Sequence, residues 1–378
     1  MFENIRPYDD EKAREVLLEF SNNEMVDVIS EFLYPGKGHD ILKDALKKAV
    51  GVYDFQHRIM YPAVGQIIDL TTDGLSVGGV EYLKEAEGKN FLILSNHRDI
   101  VLDPALLQYV LISNGLSTSE IAVGNNLVSV KYIGDLMRSN RMIEVIRNGS
   151  PRELYASSNE FSDYIRRRIN ARSLDVEGEA ASDGGASIWL AHRQGRTKNG
   201  YDLTEQGLLK MLDMSGRGSF EESFSELNII PLSISYEFEP CGVKKAVETW
   251  KKATYGFYRK AEMEDINSIV SGITEPKGRV HMNFCKPISA DELAECASLE
   301  KNDRYRRLGE IIDERIVDGY RIWNSSKDAW LMLKGLRTYP PFEEYIESEL
   351  SKVPEDCDRE AVRSELLNIY AAPYLRKQ

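Results

Sequence analysis

The stretch from Phe91 to Tyr109, FLILSNHRDIVLDPALLQY, constrains the fold more than any other part of the chain. Four apolar residues (Phe91, Leu92, Ile93, Leu94) follow the turn Gly88-Lys89-Asn90, the pattern of a strand buried on both faces. Ser95 and Asn96 bring capping chemistry, and apolar residues resume at helical spacing with Ile100, Val101, Leu106 and Leu107. A buried strand that hands over to a helix through a short polar turn is half of a βαβ unit. His97 sits in that turn, beyond the carboxyl end of the strand, where open α/β sheets place their ligands. An imidazole there, with Asp99 and Asp103 close in sequence, has the makings of a general base and an orienting carboxylate. A purely structural histidine would read the same way.

The same texture recurs downstream. Short apolar runs stand at Phe91–Leu94, Ile121–Val123, Met142–Ile146, Ser187–Ala191, Ile229–Ser235 and Arg279–Cys285, most of them separated by helical segments. The expected fold class is therefore α/β, with a mainly parallel central sheet flanked by helices. Helical extensions are expected at both ends. They divide the chain into an N-terminal extension (1–85), an α/β domain (86–290) and a C-terminal extension (291–378). Thr71–Gly79 (TTDGLSVGG) reads as a loop, and Arg172–Ala186 as an acidic loop rich in small residues. No internal repeat is found.

Composition narrows the class. A 378-residue chain with 42% hydrophobic and 29% charged residues has the make-up of an ordinary globular protein. Four cysteines (Cys241, Cys285, Cys296, Cys357) show neither C-x-x-C spacing nor the density of a disulfide scaffold, so no metal site is expected and a reducing cytoplasm is. Met1–Asp10 is too polar for a signal peptide, and no run approaches the ~20 apolar residues of a spanning helix. Any encounter with a membrane is expected to be peripheral. The net charge of −13 excludes nucleic acid as a partner. Between Lys131 and Arg172, however, nine basic residues face five acidic ones. Such a patch suits a phosphorylated substrate or lipid headgroups, and equally a solvated helix face.

Asn96-His97 followed by Asp103-Pro104 resembles the first motif of the glycerolipid acyltransferases, among them the bacterial lysophosphatidate and glycerol-3-phosphate enzymes. That motif is His, four residues, Asp; here five residues separate His97 from Asp103, and Asp99 lies closer still. Further stations follow in the family's order. Gly124-Asn125-Asn126-Leu127 leads to RMIEVIRN, where Arg147 falls at the place of the family's phosphate-binding Arg. A guanidinium suits that task because its planar fork gives a phosphate two parallel bonds. Gln194-Gly195-Arg196-Thr197-Lys198-Asn199-Gly200 resembles the family's Glu-Gly…Arg-Ser turn, with Gln194 in place of the Glu. Ile229–Ser235 and Gly278–Pro287 resemble its last strands. The resemblance spans about residues 75–290 and is nearest to a divergent branch with the NHRDIVLD motif.

The resemblance implies O-acyl transfer from an acyl-coenzyme A or acyl carrier protein thioester to the hydroxyl of a glycerophosphate-type lipid, without a cofactor. His97 would act as base, with Asp103 or else Asp99 as its partner. Asn96, Arg147, Gln194, Gly195, Arg196 and Lys198 would bind substrate, Gly195 by letting the backbone approach the ligand. His192 would be either a second catalytic histidine or a local polar residue; His39, His57 and His281 read as structural. Implied partners are the acyl donor, a lipid acceptor and the inner face of the cytoplasmic membrane. The docking element would be the 131–172 patch or the Trp330–Leu333 helix. Two alternatives stand beside this reading: another hydroxylated acceptor such as an aminolipid, and an inactive relative that binds lipid or acyl carrier. A hydrolase is disfavoured because no G-x-S-x-G elbow occurs.

Overall fold

The computed structural model describes residues 2–37, 40–86, 88–128, 131–171 and 184–378. Residues 172–183 of the expected acidic loop, Arg172 among them, lie outside the described residues, as does His39.

Seven strands form one sheet in the order β1-β7-β6-β2-β5-β3-β4. They are β1 (Leu75–Gly78), β2 (Leu92–Ser95), β3 (Glu120–Gly124), β4 (Met142–Val145), β5 (Ile188–Ala191), β6 (Ile230–Tyr236) and β7 (Val280–Phe284). Every pairing is parallel except β6 with β7. The α/β class with a mainly parallel sheet and helical terminal regions is thus what the chain adopts. One element differs from the sequence reading. Thr71–Gly79 is not a loop throughout, because Leu75–Gly78 pairs with Val280–Asn283 as edge strand β1. Its turn-forming composition hid a strand that is held by backbone pairing and buries little: Ser76 and Val77 are exposed.

β2 is buried along its whole length because both faces of the sheet are covered. Leu92 and Leu94 join one core with Ile188, Leu190, Ile165 and Leu212. Ile93 joins the other with Ile121, Trp189, Leu232, Leu106 and Leu107. The period of two along the strand sends alternate side chains into the two cores, so a run of four apolar residues satisfies both. The first core also contains Leu293, Leu308, Ile312 and Ile316, so helices Ala290–Ala297 and Lys301–Asp318 pack on the sheet. The last helices form a core of their own around Val247, Ala329, Ile346, Leu366 and Tyr370. Trp330, Met332 and Leu333 pack, partly buried, against that core. Four cations of the 131–172 patch are turned inward, while Arg152 and Arg167 are exposed. Arg166 is bonded to the Ser223 and Leu212 carbonyls, Arg168 to Glu120, Arg138 to backbone carbonyls of Glu3 and Arg6, and Arg141 to Thr118. Among the described residues, no helix is long and apolar enough to cross a membrane.

Candidate active site

The site forms where β2 leaves the sheet. Ser95 is the last residue in register with β6, and at Asn96 the side-chain amide takes over the ladder. Its Oδ1 accepts from Ile234 N at 2.8 Å and its Nδ2 donates to Ile234 O at 3.0 Å. The amide copies a peptide group, so the backbone turns away without leaving β6 unpaired. With Nδ2 also bonded to Asp202 at 3.1 Å, Asn96 is fully engaged within the fold and builds the turn.

His97 follows, in the turn ahead of helix Leu102–Ser113. Its Nδ1 lies 2.9 Å from Asp103 Oδ2, and Asp103 has no exposed surface. The same oxygen accepts from the backbone N–H of Arg98 at 2.6 Å and of Asp99 at 2.9 Å. Tyr236, at the end of β6, donates to the other oxygen at 2.7 Å. Four donors thus hold Asp103 fixed, and a fixed carboxylate on Nδ1 leaves the Nε2 lone pair for chemistry. His97 is 13% exposed and Nε2 has no partner among the described residues, while Trp189 flanks the ring edge-on at 5.5 Å. The proximity to the apolar-faced tyrosine has a price: burial and Asp103 push the Tyr236 hydroxyl well above its ordinary pKa, so it remains a donor.

The extra residue between His97 and Asp103 is absorbed by the turn at Ile100-Val101, which Asp99 organises. Asp99 Oδ1 accepts from Val101 N at 3.0 Å and Leu102 N at 2.7 Å. Asp99 therefore shapes the turn and Asp103 contacts His97. Burial, then the neighbouring Asp103, raises the Asp99 carboxyl above its ordinary range. Its second oxygen is buried without a hydrogen-bond partner among the described residues, and lies against Gly272 of helix Glu264–Thr274.

A buried ionic cluster fixes the turn from below. Arg98 donates to Asp202 Oδ2 at 2.6 Å and to Gly200 O at 3.2 Å. Asp202 also accepts from Tyr320 at 2.5 Å and from the Thr197 hydroxyl. Burial alone would raise the Asp202 carboxyl; Arg98, His192 and these donors outweigh it and hold it well below the usual range. Lys245 donates to Arg98 O at 2.7 Å and pairs with Glu239 at 2.6 Å, also out of solvent. Thr197 N donates to His97 O at 2.9 Å, so the 194–200 segment is bonded directly to the His97 turn. His192, wholly buried, is lowered to about 4 by burial and contacts Thr204 at 3.2 Å. Its place is in the scaffold.

Three cations face this end of the sheet. Arg147 lies over the end of β3. A Cβ at Gly124 would overlap its Nε, so only glycine lets the side chain pass. Arg147 is half-buried and makes no side-chain hydrogen bond among the described residues, and its burial lowers its pKa. Arg196 is 8% exposed, with Nη1 buried and without a partner among the described residues, and its charge is felt at Asp99. Lys198 pairs with Glu248 at 2.5 Å, and burial followed by Arg196 lowers its pKa to about 8. Gln194 is exposed, and its backbone N–H bonds Glu205 at 3.2 Å. Gly195 has φ +72° and open space where a Cβ would stand, so the turn needs its conformation and not its small size.

Tyr236, Trp189, Asp202, Glu248 and Asp265 belong to this neighbourhood and no motif announced them. Asp265 accepts from Asn126 at 3.2 Å and reaches the site from the segment between β6 and β7.

Residues 74–190, from β1 through β5, match the family model described as Acyltransferase. The glycerol-3-phosphate acyltransferase of Pseudomonas fluorescens (strain SBW25) is 29% identical over 240 residues, 63% of this chain and 25% of that protein. That of Pseudomonas aeruginosa (strain UCBPP-PA14) is 26% identical over 223 residues, 58% of this chain and 24% of that protein. The chain thus spans about a quarter of the length of these relatives. The solved structure of the 1-acyl-sn-glycerophosphate acyltransferase from Thermotoga maritima aligns with TM-score 0.41 and 11% identity, over 82% of this chain and 95% of that one. The matched region, which contains His97, Asp103 and Arg147, is thus similar to an acyltransferase domain, and the chain is similar over 63% of its length to a glycerol-3-phosphate acyltransferase.

Proposed function

We propose that the protein transfers a fatty acyl group from a thioester, acyl-coenzyme A or acyl carrier protein, to a hydroxyl of a glycerophosphate-type lipid, with His97 as general base. The observation that carries this reading is the asymmetry of His97: Nδ1 is bound to the buried, four-donor Asp103, and Nε2 is left without a partner among the described residues. An alcohol at neutral pH is a weak nucleophile, so a base must take its proton as it attacks. Nε2 takes the hydroxyl proton while the oxygen bonds to the thioester carbonyl carbon, and Asp103 stabilises the imidazolium. Collapse of the tetrahedral intermediate breaks the C–S bond, and the imidazolium returns the proton to the departing sulfur.

Arg147 and Arg196 support a phosphate-bearing substrate. Half-buried or buried guanidiniums without carboxylate partners are costly unless an anion completes them. The test is acyl transfer from both donors to a panel of phosphate-bearing and phosphate-free hydroxylated lipids, with wild type and His97→Ala. Transfer that vanishes in His97→Ala supports the reading. Undiminished transfer in that variant overturns the base, and no transfer to any acceptor overturns the activity.

A further inference from the structure

Helix Gly242–Tyr255 and helix Glu264–Thr274 are joined by an exposed loop that stands at the site end of the sheet. Three large apolar side chains on and beside it face solvent: Tyr255 is 55% exposed, Phe257 70% and Met263 55%. The surrounding sequence from Thr249 to Met263, TWKKATYGFYRKAEM, carries Lys251, Lys252, Arg259 and Lys260 against one acidic residue, Glu262, in a chain of net charge −13; Lys251 and Lys252 pair with Asp356 and Glu248. The loop is not loose at its base. Tyr258 donates to Glu264 at 2.6 Å, Lys260 pairs with Asp265 at 2.5 Å, and Asp265 accepts from Asn126, next to the Gly124–Arg147 contact.

We propose that the 255–263 segment docks the protein on an anionic bilayer, with Tyr255, Phe257 and Met263 entering the headgroup layer and the flanking basic residues meeting lipid phosphates. This rests on the reading of the protein as a lipid acyltransferase and names the surface through which it meets its acceptor. Aromatic side chains with cations beside them are the composition that settles at a membrane interface. An acidic carrier protein would also answer the charge. A specific protein interface, though, needs about 800 Å² on each partner, and a single projecting loop presents too little area. Insertion of two or three apolar side chains needs no broad complementary surface. The rigid base makes docking productive: the mouth beside Arg147 is held at a fixed distance from the bilayer that presents the lipid.

The experiment uses the full chain and flotation with phosphatidylcholine vesicles, with and without phosphatidylglycerol. Wild type is expected to partition onto the anionic vesicles. Tyr255→Ser/Phe257→Ser, and separately Arg259→Glu, are expected to lower that partitioning about tenfold or more. Phe257→Trp should keep binding and shift its emission to the blue on adding vesicles. Equal partitioning of the double variant and wild type overturns the proposal. So does loss of acyl carrier protein binding in the loop variants with vesicle binding intact. Transfer to a detergent-dispersed acceptor separates the two readings. A double variant that acts normally in detergent and poorly on vesicles supports docking. A wild type that docks through the loop but transfers nothing leaves docking standing and removes the activity.

Discussion

Arg98 and Asp202, 104 residues apart in sequence, meet at 2.6 Å with their side chains 3% and 0% exposed. A buried pair of this kind is destabilised more by losing one partner than it stabilises as a unit, because the survivor is a charge without compensation. Arg98→Met and Asp202→Ala are each expected to lower the unfolding free energy by about 3–5 kcal/mol, with the double variant losing less than the sum. Urea denaturation of the two singles and the double measures this coupling. The Asp202 carboxyl is held below its ordinary range, so its contribution is complete above about pH 4 and is lost only as the pH falls further.

With His97 as the proposed base, His97→Ala should reduce kcat by about 10²–10⁴-fold, and Asp103→Asn by a comparable factor through the wrong tautomer. Tyr236→Phe removes one bond to a carboxylate and should cost about 10–100-fold. Asp99→Asn keeps the Oδ1 acceptor of the turn and should leave kcat within about threefold. Steady-state kinetics of the four variants orders them, and an Asp99→Asn loss equal to that of Asp103→Asn would refute the division of labour between the two carboxylates.

Arg147→Ala should raise KM for a phosphate-bearing acceptor by about 10–100-fold, the worth of charge-assisted hydrogen bonds. Gly124→Ala should imitate it, since the added Cβ occupies the path of the guanidinium. Parallel KM series with a phosphate-free acceptor should show neither change.

Lys198 titrates near 8. It is an ammonium below that pH and a neutral amine above it, so affinity for a phosphate-bearing substrate should fall as the pH rises through about 8. Lys198→Arg keeps the charge and should remove the step. For stability the sign is opposite. The ordinary value is 10.5 and the folded value about 8, so the unfolded chain binds more protons between them and stability rises with pH across that window. KM against pH and melting temperature against pH read the two effects separately.

The sheet was legible in the sequence because its central strands are buried on both faces. Unbroken runs such as Phe91–Leu94 and Ile229–Ser235 have few other structural outlets. β1 was not legible, because an edge strand can be built from Leu-Ser-Val-Gly when its backbone does the work. His97 stood out by its place at a strand end. The choice between Asp99 and Asp103 could not be read from spacing, since it depends on a turn that Asp99 itself shapes. Asp202, Tyr236 and Asp265 were invisible for a different reason. They act through contacts between distant segments, and nothing local distinguishes them from other polar residues. The basic count of 131–172 did not reveal which guanidiniums, Arg166 and Arg168 among them, are spent on internal partners.

The reversed direction of β7 beside β6 has a mechanical consequence. Two neighbouring antiparallel strands turn back at one end of the sheet, so whatever joins them must overhang the end where His97 stands. In this chain the join carries helices Gly242–Tyr255 and Glu264–Thr274. Both are anchored to the floor beneath them, the first through Lys245 on the Arg98 carbonyl and the second through Gly272 against Asp99. The canopy and the His97 turn therefore form one unit, and a change in either helix is felt at the turn.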